Sequence, residues 1–273
     1  MKPKMFAVGL MIFILSACNA PTTATPAQFK TPVVVPTSTT STGGVVTQDN
    51  VSFTLPLGVA SGAQSEKVAA VTDANNAPTW DLAPEHLAFT LTGYQVSDKQ
   101  IKPQIFVYPA DDFAQVNSNA AEQIQKIKNL TPGSTLNMDA MPTVPFFNAV
   151  QQIASHMQMI DFKNGRGVRF LTQYAQYPAP INNHDLFYHF QGLTTDGKYY
   201  IVAVLPVTSS ILAEDDKPDS PVPSEGVQLP AGGIPDQAYY DSVTKALDAM
   251  YEDSFNPSLF QLDALIQSIT VTP

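Results

Sequence analysis

The amino-acid sequence predicts an α+β fold in which a mostly antiparallel sheet, built from hairpins, has helices packed against it. Two turn-forming dipeptides, one Asn-Gly and one Asp-Gly, each separate a pair of strand-like runs. Three further segments carry apolar residues at helical spacing. The chain has 273 residues, of which 44% are hydrophobic, so it is long enough and apolar enough to bury a core.

The first predicted hairpin turns at the Asn-Gly pair 164–165, between strands over 156–162 and 166–174. An Asn-Gly pair readily takes the positive φ angles of a two-residue type I′ turn. The strand register then follows by counting outward from the turn, so Lys163 faces Arg166.

The second predicted hairpin turns at the Asp-Gly pair 196–197, between strands over 186–194 and 198–207. The same arithmetic places Gln191 opposite Val202. Side chains then sort by parity into two faces. The apolar face holds Tyr188, Phe190, Ile201, Ala203 and Leu205. The mixed face holds Phe187, His189, Gln191, Leu193, Tyr200, Val202 and Val204. We expect the helices to cover the apolar face and to leave the mixed face half-covered.

Three helices are expected to supply this cover. The first follows the acidic pair 111–112, which complements the helix dipole, and continues to Ile127. The second spans 236–251, and the third follows Pro257. Further strands are predicted over 51–55, 86–94 and 104–108.

This order of elements, the first strand ending in Leu55-Pro56 and the apolar final helix over 262–269 resemble the PsbP-like α/β/α sandwich. The resemblance covers most of residues 51–273. It implies an accessory or assembly role and carries over no functional residue.

The amino terminus has the pattern of a signal peptide. Lys2 and Lys4 precede an unbroken apolar run over 5–15. That run is shorter than the roughly 20 residues that a membrane-spanning helix needs. We therefore expect residues 1–17 to be a signal peptide.

The string Leu15-Ser16-Ala17-Cys18, placed directly after the apolar run, resembles the bacterial lipobox. The resemblance implies that the signal is removed before Cys18, that Cys18 carries acyl chains, and that the mature protein is a lipoprotein. An ordinary secretory signal cut after Ala17 or Ala20 is the alternative.

The anchor implies a location on the extracytoplasmic side of the cell membrane. Two acyl chains attach a protein stably to a membrane, whereas one chain gives only marginal binding. Asn19 follows the cysteine. In the lipoprotein family, an Asp at this position is the signal for retention in the inner membrane. Because this chain lacks that Asp, the outer membrane stays a candidate location in a host with two membranes. The formal charge of −10 repels phosphates, which excludes nucleic acid as a partner.

The chain divides at a change of composition. Residues 18–48 hold the lipidated cysteine and a Thr- and Pro-rich stretch that buries too little apolar area to fold, so we predict a tether. Residues 49–273 are expected to form a single globular α+β domain. Within it, residues 208–235 form a long acidic loop that we expect to be mobile and to cover one end of the sheet.

No catalytic motif assembles in the sequence. Cys18 is the only cysteine, which excludes a disulfide framework. The four histidines lack metal-ligand spacing, and neither a GxSxG nor a phosphate-binding loop occurs. We therefore expect no metal, no cofactor and no catalytic set.

Arg169, His189 and Gln191 are the candidate binding residues, placed on the half-covered face where Arg169 could receive a carboxylate. The leading hypothesis is a noncatalytic domain that binds an envelope protein or component through this face and the acidic loop. An envelope hydrolase with a dispersed site is the alternative, and a deep pocket joining His189, Arg169 and a carboxylate would favour it. An exposed aromatic cluster would instead indicate a platform for sugars or peptides.

Overall fold

A twisted antiparallel sheet forms the centre of the computed structural model, which describes residues 37–39 and 44–273. The predicted signal peptide, Cys18 and the tether up to residue 36 lie outside the described residues. Among the residues described, no helix has both the length and the apolar character needed to cross a bilayer.

The strands and helices follow one another in a strand-rich order. The strands are β1 (Thr37–Thr39), β2 (Val45–Gln48), β3 (Val51–Thr54), β4 (Gly62–Val68), β5 (His86–Thr92), β6 (Gln104–Pro109), β7 (Val150–Gln151), β8 (Ser155–Phe162), β9 (Gly165–Thr172), β10 (Tyr174–Ala175), β11 (Phe187–Thr194), β12 (Tyr199–Pro206), β13 (Thr208–Ser209), β14 (Phe255–Asn256) and β15 (Thr270–Val271). The helices are α1 (Ala110–Val116), α2 (Ser118–Asn129), α3 (Gln237–Asp248) and α4 (Leu259–Gln267).

Seven strands pair in the order β4-β5-β6-β12-β11-β9-β8, every pair is antiparallel, and the short β1 lies outside β4. Strands β15, β3 and β2 form a second sheet, and β10 with β7 and β13 with β14 form two-stranded pairs. The predicted α+β class is confirmed. Part of the predicted tether 18–48 is folded, because β1 pairs with β4 and β2 pairs with β3.

Both faces of the central sheet are covered. One face packs on α3, α4 and the β15-β3-β2 sheet, with Phe89, Ile201 and Leu265 in its core. The other packs on α1, α2 and the connection to β7, with Tyr200 and Val202 in its core. The half-covered face predicted from the sequence is therefore wrong. The apolar residues of α1 and α2 need a partner surface, and the mixed face of the second hairpin supplies it.

The two hairpins differ in how well the turn dipeptide predicted them. In the second, Gln191 does face Val202, and Gly197 takes a positive φ of 74°. In the first, Phe162 pairs with Gly165, so the register is two residues away from the prediction.

Contacts outside the first hairpin explain this shift. The Asn164 side chain donates to the Val271 carbonyl at 2.6 Å and accepts from the Val271 amide at 3.2 Å, so β15 holds it. Gly165 enters the ladder, where a Cβ would overlap the Phe162 ring. Parity survives a shift of two, so each residue keeps its predicted face relative to its neighbours.

The first predicted helix is divided in two at Asn117. Its side chain accepts hydrogen bonds from Asn119 and Ala120 and so caps the start of α2. Its amide group also donates to the carbonyls of Thr79 and Leu82. The other two predicted helices are confirmed as α3 and α4.

Candidate functional site

Arg169 lies in β9 on the face covered by α3 and α4, and only 1% of its side chain is exposed. Its Nη2 lies 2.5 Å from Oε1 of Glu252 and donates to Oε1 of Gln158 at 2.8 Å. Its Nε lies 3.3 Å from Oδ1 of Asp263, and its Nη2 donates to Oδ2 of the same carboxylate at 3.4 Å. A buried guanidinium needs such partners, because an unpaired charge is strongly disfavoured away from water.

The rest of this cluster ties the edge strand β8 to the helical layer. The Tyr188 hydroxyl donates to Asp263 at 2.8 Å. Burial raises the pKa of Asp263, although the charge of Arg169 and the Tyr188 hydrogen bond both lower it. At a bulge in β8, His156 has a φ of 49°, and its amide donates to Asp248 at 2.6 Å. This set is called the Arg169 cluster below, and its contacts are those of a structural clamp.

His189 and Gln191 lie in β11 on the opposite face, fully buried under the segment that precedes β7. Nε2 of His189 lies 2.6 Å from the Val144 carbonyl, which can only accept, so Nε2 carries the hydrogen. Gln191 donates to the Pro142 carbonyl at 2.8 Å and accepts from the Val144 amide at 3.2 Å and from the Tyr200 hydroxyl. Burial lowers the pKa of His189 to about 4, so the ring is neutral at physiological pH.

The three residues predicted to share a binding face are therefore separated. Residues paired across two strands lie on the same face of the sheet, and His189 pairs with Phe170. Arg169 is the neighbour of Phe170 in β9, and neighbours in a strand point to opposite faces. Arg169 and His189 therefore lie on opposite faces of the sheet. Within residues 44–273, all three side chains are buried, so they form no shared accessible surface. The prediction failed because it assumed the face of Gln191 to be half-covered and placed Arg169 on it.

An open cavity of about 240 Å³ lies instead at the end of the sheet where β10 and β11 meet the segment before β7. It is lined by Gln100, Ile101, Phe147, Asn148, Ala149, Tyr174, Ala175, Gln176, Asp185 and Phe187. The Phe147 and Tyr174 rings lie 4.6 Å apart between centroids, and Tyr174 and Phe187 are stacked at 6.1 Å. These rings give the cavity an aromatic wall.

The Tyr174 hydroxyl is buried and has no hydrogen-bond partner among the described residues. Burial raises the pKa of Tyr174, so its hydroxyl stays protonated at neutral pH. The ring is held by packing alone.

Asp185 brings a carboxylate to the cavity wall. Its Oδ1 lies 2.5 Å from Nδ1 of His184, and its Oδ2 accepts from the Asn182 amide at 3.0 Å. The side chain of Asp185 is 13% exposed, whereas that of His184 is 44% exposed. Asp185 is thus the more buried of the two, and it lies on the wall of the cavity.

A second cavity of about 340 Å³ adjoins the first, because Ala175 and Gln176 line both. Its remaining walls are Val150, Gln152, Tyr177, Pro178, Pro235, Asp236, Gln237 and Tyr240. We call the two cavities together the groove. It follows the β10-β7 pair and ends at the start of α3.

The acidic loop 208–235 is fastened beside the groove. The Asn183 amide donates to the carbonyls of Ser209 and Leu212, both at 3.1 Å. The Tyr177 hydroxyl donates to Asp216, and Lys99 pairs with Glu214 at 3.0 Å. These contacts hold the first part of the loop and the Tyr177 side chain in place. The mobility and the sheet-end cover expected for the whole loop stay predictions.

Sequence reasoning missed the groove because its residues come from five separate segments. Periodicity cannot show which aromatic residues of a core also border a cavity. Within residues 44–273, no group of three His, Cys, Asp or Glu side chains converges to hold a metal ion.

Comparison with known proteins found no matching family model, no matching curated protein and no matching solved structure. The resemblances to the lipobox and to the PsbP-like sandwich therefore stay predictions, and the function rests on the residues themselves.

Proposed function

We propose that this chain is a lipid-anchored protein of the extracytoplasmic membrane surface whose globular domain binds an envelope component in the groove without catalysis. The anchor is inferred from the apolar run over 5–15 and Cys18. The cell membrane, or the outer membrane in a host that has two, is its location.

The groove is the observation that carries the binding role. It combines an aromatic wall with a few polar groups, which is the usual composition of a ligand site. It replaces the sheet face of Arg169, His189 and Gln191, since that surface is buried. The fastened acidic loop beside it supports a preformed site, because a fixed wall has less entropy to lose on binding.

Anchoring is tested by replacing Cys18→Ala and following the protein in membrane and soluble fractions. We expect the natural protein in the membrane fraction, with an amino-terminal peptide whose mass includes acyl chains on Cys18. The variant should lose the acyl mass. A free thiol at Cys18 in the natural protein would refute the anchor.

Binding is tested by capturing the anchored protein from solubilised membranes and identifying by mass spectrometry what accompanies it. A version carrying Tyr177→Ala serves as the comparison, because Tyr177 is exposed at the groove. An envelope component that accompanies the natural protein and is depleted with the variant supports the proposal. Equal recovery of every component with both would refute it.

An envelope hydrolase is the second candidate, and the contact between His184 and Asp185 is the observation that favours it. A carboxylate on Nδ1 orients an imidazole and leaves Nε2 to act as a base. Turnover of a captured ligand that is abolished by His184→Ala would establish this candidate in place of the noncatalytic one.

A further inference from the structure

We infer that the groove binds a neutral carbohydrate chain, with one sugar ring in each of its two cavities. The inference rests on the proposed function, because it names the ligand class of the same site. It is carried by the charge, the hydrogen-bonding groups and the ring faces of the walls.

The charge of the walls argues for a neutral ligand. Within the described part of the chain, neither cavity is lined by Lys or Arg, so an anion has no counter-charge. The two carboxylates of the walls are both engaged. Asp185 accepts from His184 and Asn182, and Asp236 caps α3 by accepting from the Tyr239 amide at 2.9 Å. Both carboxylates therefore already have hydrogen-bond donors within the protein.

Side-chain amides provide most of the hydrogen-bonding capacity. The five that line the groove are Gln100, Asn148, Gln152, Gln176 and Gln237. The side chains of Gln100 and Asn148 make no hydrogen bond to the described residues. In Gln152, Gln176 and Gln237 the NH₂ group donates to the protein at 2.8 to 3.0 Å, which leaves the carbonyl oxygen as an acceptor. Because amides donate and accept, they match hydroxyl groups, which do the same.

The tyrosines present ring faces rather than hydroxyls. The Tyr177 hydroxyl donates to Asp216, and the Tyr240 hydroxyl donates to the Ala179 carbonyl at 3.1 Å. Both hydroxyls are thus engaged within the protein, while 56% of Tyr177 is exposed. An aromatic ring offers a rigid apolar surface, on which the C–H face of a sugar ring can stack.

The dimensions fit a chain of small rings. Cavities of about 240 and 340 Å³ lie at the small end of ligand sites. Ala175 and Gln176 line both cavities, so the two lie next to each other. An extended peptide would be bound through the main chain of a strand edge, whereas the polar groups described above belong to side chains.

The experiment uses the full-length lipidated protein in a zwitterionic detergent, since a detergent with a sugar head group would compete. Maltotetraose, cellotetraose and tetra-N-acetylchitotetraose are titrated at concentrations up to the millimolar range by calorimetry and by saturation-transfer NMR. Tetraalanine is titrated in parallel. We expect at least one sugar to bind and to receive saturation from the aromatic protons, while tetraalanine does not bind.

Two variants and two matched controls place the ligand in the groove. Tyr177→Ala should weaken sugar binding by about five- to tenfold through the lost ring face. Gln100→Ala should weaken it by about two- to tenfold through a lost hydrogen bond. Tyr251→Ala and Gln125→Ala remove an exposed tyrosine and an exposed amide elsewhere, and should leave the affinity unchanged. Circular dichroism verifies that each variant is folded.

The outcomes separate this inference from the proposed function. Binding of tetraalanine alone, weakened by the two groove variants, overturns the carbohydrate class and keeps the noncatalytic binding role. Sugar binding that ignores both variants overturns the groove assignment, and binding of none of the three sugars overturns the inference. Sugar cleavage supports the ligand class and overturns the noncatalytic role.

Discussion

The two faces of the central sheet bury polar residues in opposite ways. On the face of α3 and α4, the Arg169 cluster holds a guanidinium between Glu252 and Asp263. On the face of α1 and α2, His189 and Gln191 are neutral and bond to the main chain of the segment before β7. On the first face, the buried charge is neutralised by carboxylates. On the second face, neutral polar side chains are satisfied by hydrogen bonds to backbone groups.

The position of each polar group in the sheet explains whether it is charged or neutral. Arg169 lies next to the edge strand β8, where Glu252 remains 26% exposed and keeps part of its hydration. His189 and Gln191 lie in the interior strand β11, where a charge would lose its hydration entirely. This difference predicts that losing the charge of Arg169 destabilises the protein on one face. On the other face, gaining a charge at His189 should destabilise it.

Removing the guanidinium should have the largest effect. Arg169→Met leaves the buried Asp263 carboxylate and Glu252 without a counter-charge, so we expect the free energy of unfolding to fall by about 3–5 kcal/mol. Urea denaturation followed by circular dichroism measures this loss.

Arg166→Met is the matched control, since Arg166 lies in the same strand and pairs with Asp161 at 2.5 Å in an exposed position. An exposed ion pair contributes little to stability, so this variant should lose far less unfolding free energy than Arg169→Met. Equal losses in the two variants would contradict the distinction between a buried clamp and a surface pair.

Acidification should lower the stability of the protein through His189, which is neutral in the folded state. The pKa of His189 is lowered from 6.5 to about 4 in the folded protein, so the unfolded chain takes up a proton first as the pH falls. The contribution of His189 to stability is complete above pH 6.5 and is lost between pH 6.5 and 4, by at most about 3 kcal/mol. Asp263 acts in the opposite sense, because its raised pKa lets the folded state bind a proton first.

His189→Gln isolates this contribution, because Gln places a neutral amide near the position of Nε2. The unfolding free energy of the natural protein and the variant is measured at several pH values between 7 and 4, the range set by the two pKa values. The variant should show a flatter profile over this interval. Parallel profiles would show that His189 is not the group responsible.

The smallest effect is expected at the aromatic wall of the groove. Tyr174→Phe removes a buried hydroxyl that has no partner among the described residues, and the ring packing is kept. An unsatisfied buried hydroxyl is destabilising, so we expect the unfolding free energy to stay constant or to rise by up to about 1 kcal/mol. A loss of more than this amount would mean that the hydroxyl has a partner, such as a bound water.

Periodicity alone predicted much of the central architecture. Side-chain alternation predicted the strands over 86–94 and 104–108 and both strands of the second hairpin. Helical spacing predicted α3 and α4. Both patterns are local properties of the chain. The register of the second hairpin followed from its turn, because Gly197 takes the positive φ that its position requires.

The first hairpin shows the limit of this reasoning. Its Asn-Gly pair would have suited the same turn, but Asn164 is bound by β15 and Gly165 lies against the Phe162 ring. These contacts join residues more than 100 positions apart in one case and were not visible in a local pattern. The candidate binding face failed for a similar reason, since nothing local says which surface a distant helix covers.

The sequence by itself determined the fold class and most of the strand and helix positions, because each depends on neighbouring residues. The lipid anchor at Cys18 stays a prediction from the sequence. Only the tertiary structure decided which polar residues are buried and which aromatics border a cavity. Burial depends on what packs against a surface, and the walls of the groove come from segments that meet only in the folded chain.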